Sequence, residues 1–325
     1  MIIVTGGAGF IGSAVVWKLN QIGEKEIIIV DELSSDEKWK NLVGLNFIDY
    51  YHKEDFIEMI LNESLPVEFD TMIHMGACSS TTEKDADYLY ENNVRYSQEL
   101  AKYCLTHRAR FIYASSAATY GDGSEGYSDE EKQMFDLRPL NMYGYSKQLF
   151  DLWLYKTGVL EEVVGLKFFN VYGPNEYHKG EMRSVVHKSF QQIMAKGEVN
   201  LFKSYNPKYK DGEQLRDFIY VKDVVDVISF FIENKDKFGI FNVGTGIARS
   251  WNDLVTSVFN AMNKPVKINY IEMPENLREK YQYYTQADMQ KLRNAGFNKN
   301  FYSLEEGISD YVKNYLIPSK YLDSK

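Results

Sequence analysis

Tyr143 and Lys147 stand four positions apart in the run YGYSK. On a helix that spacing puts both side chains on one face, one turn apart. An unperturbed phenol titrates near 10, so a lone tyrosine is a poor base at neutral pH. A neighbouring ammonium, or the positive ring of an oxidised nicotinamide, stabilises the phenolate and makes it a usable acid–base for interconverting an alcohol and a ketone. Upstream, residues 110–121 read RFIYASSAATYG. The apolar run ends at Ala114, which leaves Ser115 and Ser116 at the C-terminal edge of a strand, where ligands bind in open α/β sheets. Ser116 is there placed to hydrogen-bond the reacting oxygen. Tyr-x-x-x-Lys is a common spacing by chance; its position after a Ser-Ser strand end is what makes it informative.

Alcohol–ketone chemistry needs a hydride carrier, and residues 5–13 supply a place for one: TGGAGFIGS. Gly6, Gly9 and Gly12 recur every third position, with Phe10 and Ile11 between the last two. One glycine permits a tight turn, one lets backbone approach a pyrophosphate, and one lets the helix pack against the sheet. The helix N-terminus then offers N–H donors and a positive dipole end to the diphosphate. Asp31 closes the next strand 19 positions after Gly12, where an acidic residue suits ribose hydroxyls. A 2′-phosphate would instead want a cation. Lys38 and Lys40 follow Asp31 and could provide it, whereas Glu32 adds negative charge and favours NAD.

Apolar runs alternating with helical patterns must position these groups. Strands are expected at Met1–Thr5, Glu26–Asp31, Thr71–His74, Arg110–Ala114 and Val163–Phe169, and helices at Ile11–Ile22, Asp87–Thr106 and Tyr145–Lys156. The alternation implies an α/β fold, a Rossmann doubly wound parallel sheet covered on both faces. From about Asn170 the pattern breaks at Tyr-Gly-Pro, then returns to strand and helix at Asp217–Val221 and Asp223–Phe231, with a strand at Ile240–Val243. The expected division is a dinucleotide-binding domain of 1–169 plus about 217–243, with a smaller interleaved substrate domain from 170–216 and 244–325.

The chain of 325 residues carries 37 Lys and Arg against 46 Asp and Glu, a formal net charge of -9. That argues against nucleic acid or an anionic membrane as partner, since both want a basic surface. No apolar run approaches the roughly 20 residues of a membrane span. The two cysteines, Cys78 and Cys104, are too few for a disulfide scaffold and suit reduced thiols. Met1 leads directly into strand and glycine loop, so a cytoplasmic location is expected. His74, His178 and His187 form no metal set, and the chemistry needs none.

These motifs resemble the extended short-chain dehydrogenase/reductase family, which includes sugar-nucleotide epimerases and dehydratases. The resemblance implies Tyr143 as general acid–base, Lys147 as its electrostatic partner and a ribose contact, and Ser116 as a hydrogen-bond donor to substrate. The family's 4,6-dehydratases carry an Asp-Glu pair just after the active-site hydroxyl; Ala117 and Ala118 stand there instead, which excludes dehydration. Within the family, the chain is similar over its whole length to the bacterial ADP-L-glycero-D-manno-heptose 6-epimerases. The matching pieces are GACSSTTE at Gly76–Glu83, ENN at Glu91–Asn93, NMYGYSK, FNVYGPNEYHKG, RDFIYVKDV and YTQAD.

That similarity implies a two-base epimerisation of ADP-heptose at C6″ with bound NADP, in lipopolysaccharide inner-core assembly. Tyr143 would serve one face and Lys179 the other. It also implies a homo-oligomer, a pentamer. Lys53, Met75, Gly76, Ala77, Cys78, Ser79, Asn92 and Val171 would lie along the cofactor. Asn170, Glu181 and Lys188 would meet the substrate, Arg216 its diphosphate, and Phe202, Lys203, Ser204, Tyr205 and Tyr281 its nucleotide end. Two positions depart from the pattern: a Ser is usual where Glu181 stands, and an Asn where Glu32 stands. Trying UDP-sugars against ADP-heptose separates this reading from another epimerase or reductase on the same scaffold.

Overall fold

The computed structural model describes residues 1–278 and 281–323. Its centre is a parallel seven-stranded sheet ordered Gly239–Val243, Val163–Phe168, Arg110–Ser116, Thr71–His74, Ile2–Thr5, Ile27–Asp31, Asp49–His52. Runs such as IIVT and IIIVD are buried at every residue, as expected where helices cover both faces of a parallel sheet. Strand alternation divides the core in two. Ile2, Val4, Ile27 and Ile29 face the helices Phe10–Gln21 and Val221–Glu233. Ile3, Ile28 and Val30 face Phe56, Leu100, Phe150 and Leu154 on the other side.

Strand order reverses beside Ile2–Thr5, whose neighbours are Ile27–Asp31 on one side and Thr71–His74 on the other. At such a switch point the loops beyond the two strands diverge and open a crevice for ligand. The glycine loop and the Met75–Ser79 loop flank it. Strand Arg110–Ser116 runs two residues beyond the expected Ala114, and Ser116 pairs with Phe168.

The stretch 217–243, expected with the first domain, divides. Gly239–Val243 joins the large sheet. Leu215–Tyr220 instead lies in a three-stranded sheet between Asn170–Tyr172 and Ala248–Ser250. A two-stranded sheet pairs Val199–Phe202 with Ile268–Ile271. The expected helix Asp87–Thr106 is helical throughout, but widens to π geometry at Tyr90–Arg95 between Ala86–Leu89 and Tyr96–Thr106. Such insertions re-aim side chains, and here the segment carries Asn92 and Asn93.

Candidate active site

The helix Met142–Lys156 begins earlier than the apolar pattern indicates, because Asn141 caps it by accepting from the Gly144 N–H at 2.8 Å. This brings Tyr143 into the first turn and Lys147 one turn on. Lys147 is 5% exposed, and its Nζ donates to the Ala114 carbonyl at 2.9 Å. Burial pulls the ammonium down to about 8, with the Asp151 carboxylate partly holding it up. Half-buried Tyr143 is pushed above its usual value by loss of hydration, an effect that its hydrogen bond with Ser116 opposes. Ser116 is oriented by accepting from the Ala118 N–H at 3.1 Å.

Beneath this trio lies a buried ion pair. Lys167 Nζ is 2.8 Å from Asp151 Oδ2, both side chains 1% exposed. Asp151 also accepts from Tyr113 Oη at 2.8 Å and Ser115 Oγ at 2.7 Å, and Lys167 donates to Thr119. The network ties the helix of Tyr143 to the strand of Ser116, so their spacing is set by charge-assisted bonds. Lys179 reaches the same cavity from another element, Tyr177–Met182. Its ammonium is 5.5 Å from the centre of the Phe10 ring. Burial lowers its pKa, partly offset by the carboxylate of buried Glu176, which Ser184 Oγ anchors at 2.7 Å.

The cavity, about 680 Å³, is lined by Gly6, Gly9, Phe10, Ile11, Gly12, Asp31, Lys38, Met75–Ser79, Ser116, Tyr143, Lys147, Asn170, Val171 and Lys179. A smaller one, about 170 Å³, adds Glu32, Lys53 and Asn92. The glycine loop fits a dinucleotide. Gly6 has φ +65°, and a Cβ on it would stand 2.5 Å from the Gly76 nitrogen; one on Gly12 would stand 2.0 Å from the Gly6 carbonyl oxygen. Strand, loop and helix therefore meet at distances that no side chain permits. Asp31 accepts from the Ala8 N–H at 2.8 Å and from Lys38 Nζ at 3.1 Å. Lys53 pairs with Glu32 at 2.8 Å. Lys40, the other expected phosphate cation, pairs with Glu37 and lines neither cavity.

Of the expected substrate contacts, Asn170 lines the cavity, and Glu181, Lys188, Phe202, Lys203, Ser204, Tyr205, Arg216 and Tyr281 do not. Lys188 and exposed Glu181 pair with each other. Lys203 and Tyr205 both engage Glu272, and Ser204 takes its place in a turn with Asp211 and Asn206. Arg216 is sandwiched between the rings of Trp251 and Tyr281, centred 5.7 and 5.2 Å away. It donates to the Leu215 and Gln282 carbonyls. Trp251 connects this stack to the large cavity, which it lines.

Residues 2–244 match the model of the NAD dependent epimerase/dehydratase family. The chain belongs to that family. It is 59% identical over 97% of its length to the ADP-L-glycero-D-manno-heptose-6-epimerase of Nitratidesulfovibrio vulgaris strain DP4, covering 98% of that protein. It is 50% identical, again over 97% of its length and 98% of the relative's, to the enzyme of the same name from Fusobacterium nucleatum. Among solved structures, the Helicobacter pylori ADP-L-glycero-D-manno-heptose-6-epimerase matches with TM-score 0.81 at 29% identity, covering 96% of this chain and 95% of that one. Family membership makes the ligand of the glycine loop a nicotinamide dinucleotide.

Reading the sequence of this family member missed several residues that share the site. Glu176, His178, Arg183 and Trp251 line the large cavity, and Tyr88 and Tyr96 the small one. His178, read in the sequence only as part of no metal set, meets Asn41 Nδ2 at 3.3 Å, and burial pulls it down to about 4. Asn93 bonds both backbone groups of Cys78 and donates to Ser146 Oγ at 3.0 Å, joining the Met75–Ser79 loop to the helix of Tyr143. The run ENN was the one signal for it.

Proposed function

We propose that this protein interconverts ADP-D-glycero- and ADP-L-glycero-D-manno-heptose by inverting C6″. The observation that carries the reading is the 59% identity to a heptose epimerase along 97% of the chain, together with two basic side chains from different elements on one cavity. C6″ bears no acidic hydrogen, so a base alone cannot invert it; the carbon must pass through a ketone. Bound in the cleft, the nicotinamide would supply a reversible store for the hydride. Tyr143 takes the proton of the 6″-hydroxyl as the hydride leaves, with Lys147 stabilising the phenolate and Ser116 holding the oxygen. The ketone would then present its other face for the hydride's return, Lys179 would give the proton to the new alkoxide, and proton exchange with solvent would reset Tyr143 and Lys179. Nothing is consumed, so no external redox partner is needed.

Asn170 supports the sugar, and Arg216 with Tyr281, Phe202, Lys203, Ser204 and Tyr205 would take the diphosphate and nucleotide after releasing their present partners. The cofactor unit of 1–169 with about 217–243, and a substrate unit from the rest, form part of the same proposal. So do a cytoplasmic homo-oligomer and a role in lipopolysaccharide inner-core assembly. No helix among the described residues is long and apolar enough to cross a membrane.

The test is anaerobic incubation with ADP-D-glycero-D-manno-heptose, followed by separation of the C6″ epimers. A mixture formed without added cofactor supports both the substrate and a tightly held dinucleotide. No conversion with NAD or NADP supplied, alongside turnover of a UDP-sugar, moves the assignment to another sugar-nucleotide epimerase.

A further inference from the structure

We infer that Glu32, with Asp31, makes the adenosine end of the cleft select NAD over NADP; this rests on the reading that a nicotinamide dinucleotide lies along the glycine loop. The 2′-phosphate that distinguishes NADP is a multiply charged anion and needs cations with free donors. The smaller cavity holds two cations, Lys38 and Lys53, and two carboxylates, Asp31 and Glu32. Each cation is already paired with a carboxylate. Lys53 Nζ lies 2.8 Å from Glu32 Oε2. Lys38 Nζ lies 3.1 Å from Asp31 Oδ1 and 2.9 Å from the Glu32 carbonyl. The third nearby lysine, Lys40, turns to Glu37.

The charged lining therefore sums to zero, and the Glu32 carboxylate already occupies the ammonium that a phosphate would seek. Lys53 holds the Glu32 carboxyl below its usual range, so the counter-charge persists at neutral pH. Asp31 is fixed by the Ala8 and Glu32 N–H groups, at 2.8 and 2.7 Å, as well as by Lys38, and cannot swing aside without loosening the glycine loop. A 2′-hydroxyl meets no such conflict. It is a donor, and a carboxylate with spare lone pairs is its natural acceptor. Glu32, with its side chain 47% exposed, is held in the cavity mainly by Lys53. It works as an internal stand-in for the phosphate, neutralising Lys53 when the smaller dinucleotide binds.

The experiment is a competition. The purified protein is incubated with equimolar NAD and NADP and freed of unbound nucleotide, and the bound dinucleotides are released and quantified by mass. NAD is expected in at least tenfold excess, and Glu32→Gln is expected to shift the bound ratio at least tenfold toward NADP. Circular dichroism of the variant should match that of the parent, since Glu32 packs against no core. NADP in excess on the parent protein, or a ratio that Glu32→Gln moves by less than twofold, overturns the inference. Binding of neither dinucleotide would instead overturn the cofactor reading on which it rests.

Discussion

At the scale of single residues, the proposed chemistry depends on how far burial shifts two lysines. Lys147 keeps its charge only below about 8. Its pKa is depressed, so the cation that supports the Tyr143 phenolate is present below that value and is lost as pH rises through it. The epimerisation rate is expected to fall above pH 8, and a pH–rate profile that stays flat to pH 10 would exclude this role. Tyr143→Phe removes the transferable proton while leaving the ring. A loss of roughly 10²–10⁴-fold in kcat is expected from the usual worth of a general acid–base, with bound dinucleotide content unchanged. Lys179→Ala is expected to slow inversion on a similar scale by removing the proposed second proton donor. If product still forms at the parent rate, Tyr143 serves both faces and the substrate alone turns over.

Among secondary-structure elements, the helix Val221–Glu233 carries a pH-sensitive joint. Asp223, in its first turn, accepts from the Tyr302 N–H at 3.0 Å through one oxygen, while the other is buried with no protein partner. Burial raises its pKa to about 7, with Asp226 and Glu306 adding to the rise and Tyr302 and Lys299 opposing it. The folded protein thus holds a proton that the unfolded chain releases near its ordinary value. The sign follows from linkage. This contribution to stability is complete below about 4 and fades as pH rises through 7. Asp223→Asn keeps an acceptor for Tyr302 and removes the charge. Its Tm should lie close to that of the parent at pH 4 and above it at pH 8. Parallel curves of Tm against pH would show that Asp223 ionises normally. The buried Lys167–Asp151 pair belongs to this scale too, because it fastens helix to strand behind Ser116, Tyr143 and Lys147.

For the whole molecule, fold and cofactor site are one structure, because the glycine loop, the Met75–Ser79 loop and the helix Phe10–Gln21 pack on each other. A ligand bound only by the folded state stabilises it by about 2.7 kcal/mol at a hundred times its Kd. Added dinucleotide is therefore expected to raise Tm by several degrees. Gly12→Ala, which forces a Cβ to 2.0 Å from the Gly6 carbonyl oxygen, should lower the parent Tm and abolish the ligand-induced rise. A rise that survives the substitution would place the dinucleotide elsewhere.

Seen from the chain alone, the parallel sheet, the glycine loop, Tyr143, Lys147 and Ser116 were legible because each is a local pattern. A run of buried β-branched residues, a three-residue glycine period and a four-residue helical spacing are all written in consecutive positions. Strand Asp49–His52 and helix Lys53–Leu61 escaped, since both are short and little of either is buried, no residue of the strand and only Phe56 and Ile60 of the helix. The site's electrostatics escaped for a different reason. That Glu32 takes Lys53, that Asn93 ties Cys78 to Ser146, and that Arg216 stacks between Trp251 and Tyr281 are relations between segments far apart in sequence. Sequence by itself determined which groups were available and which chemistry they suit. Tertiary structure decided which of them are paired, buried or free, because desolvation and ion pairing depend on distance in space, and local periodicity carries no record of that distance.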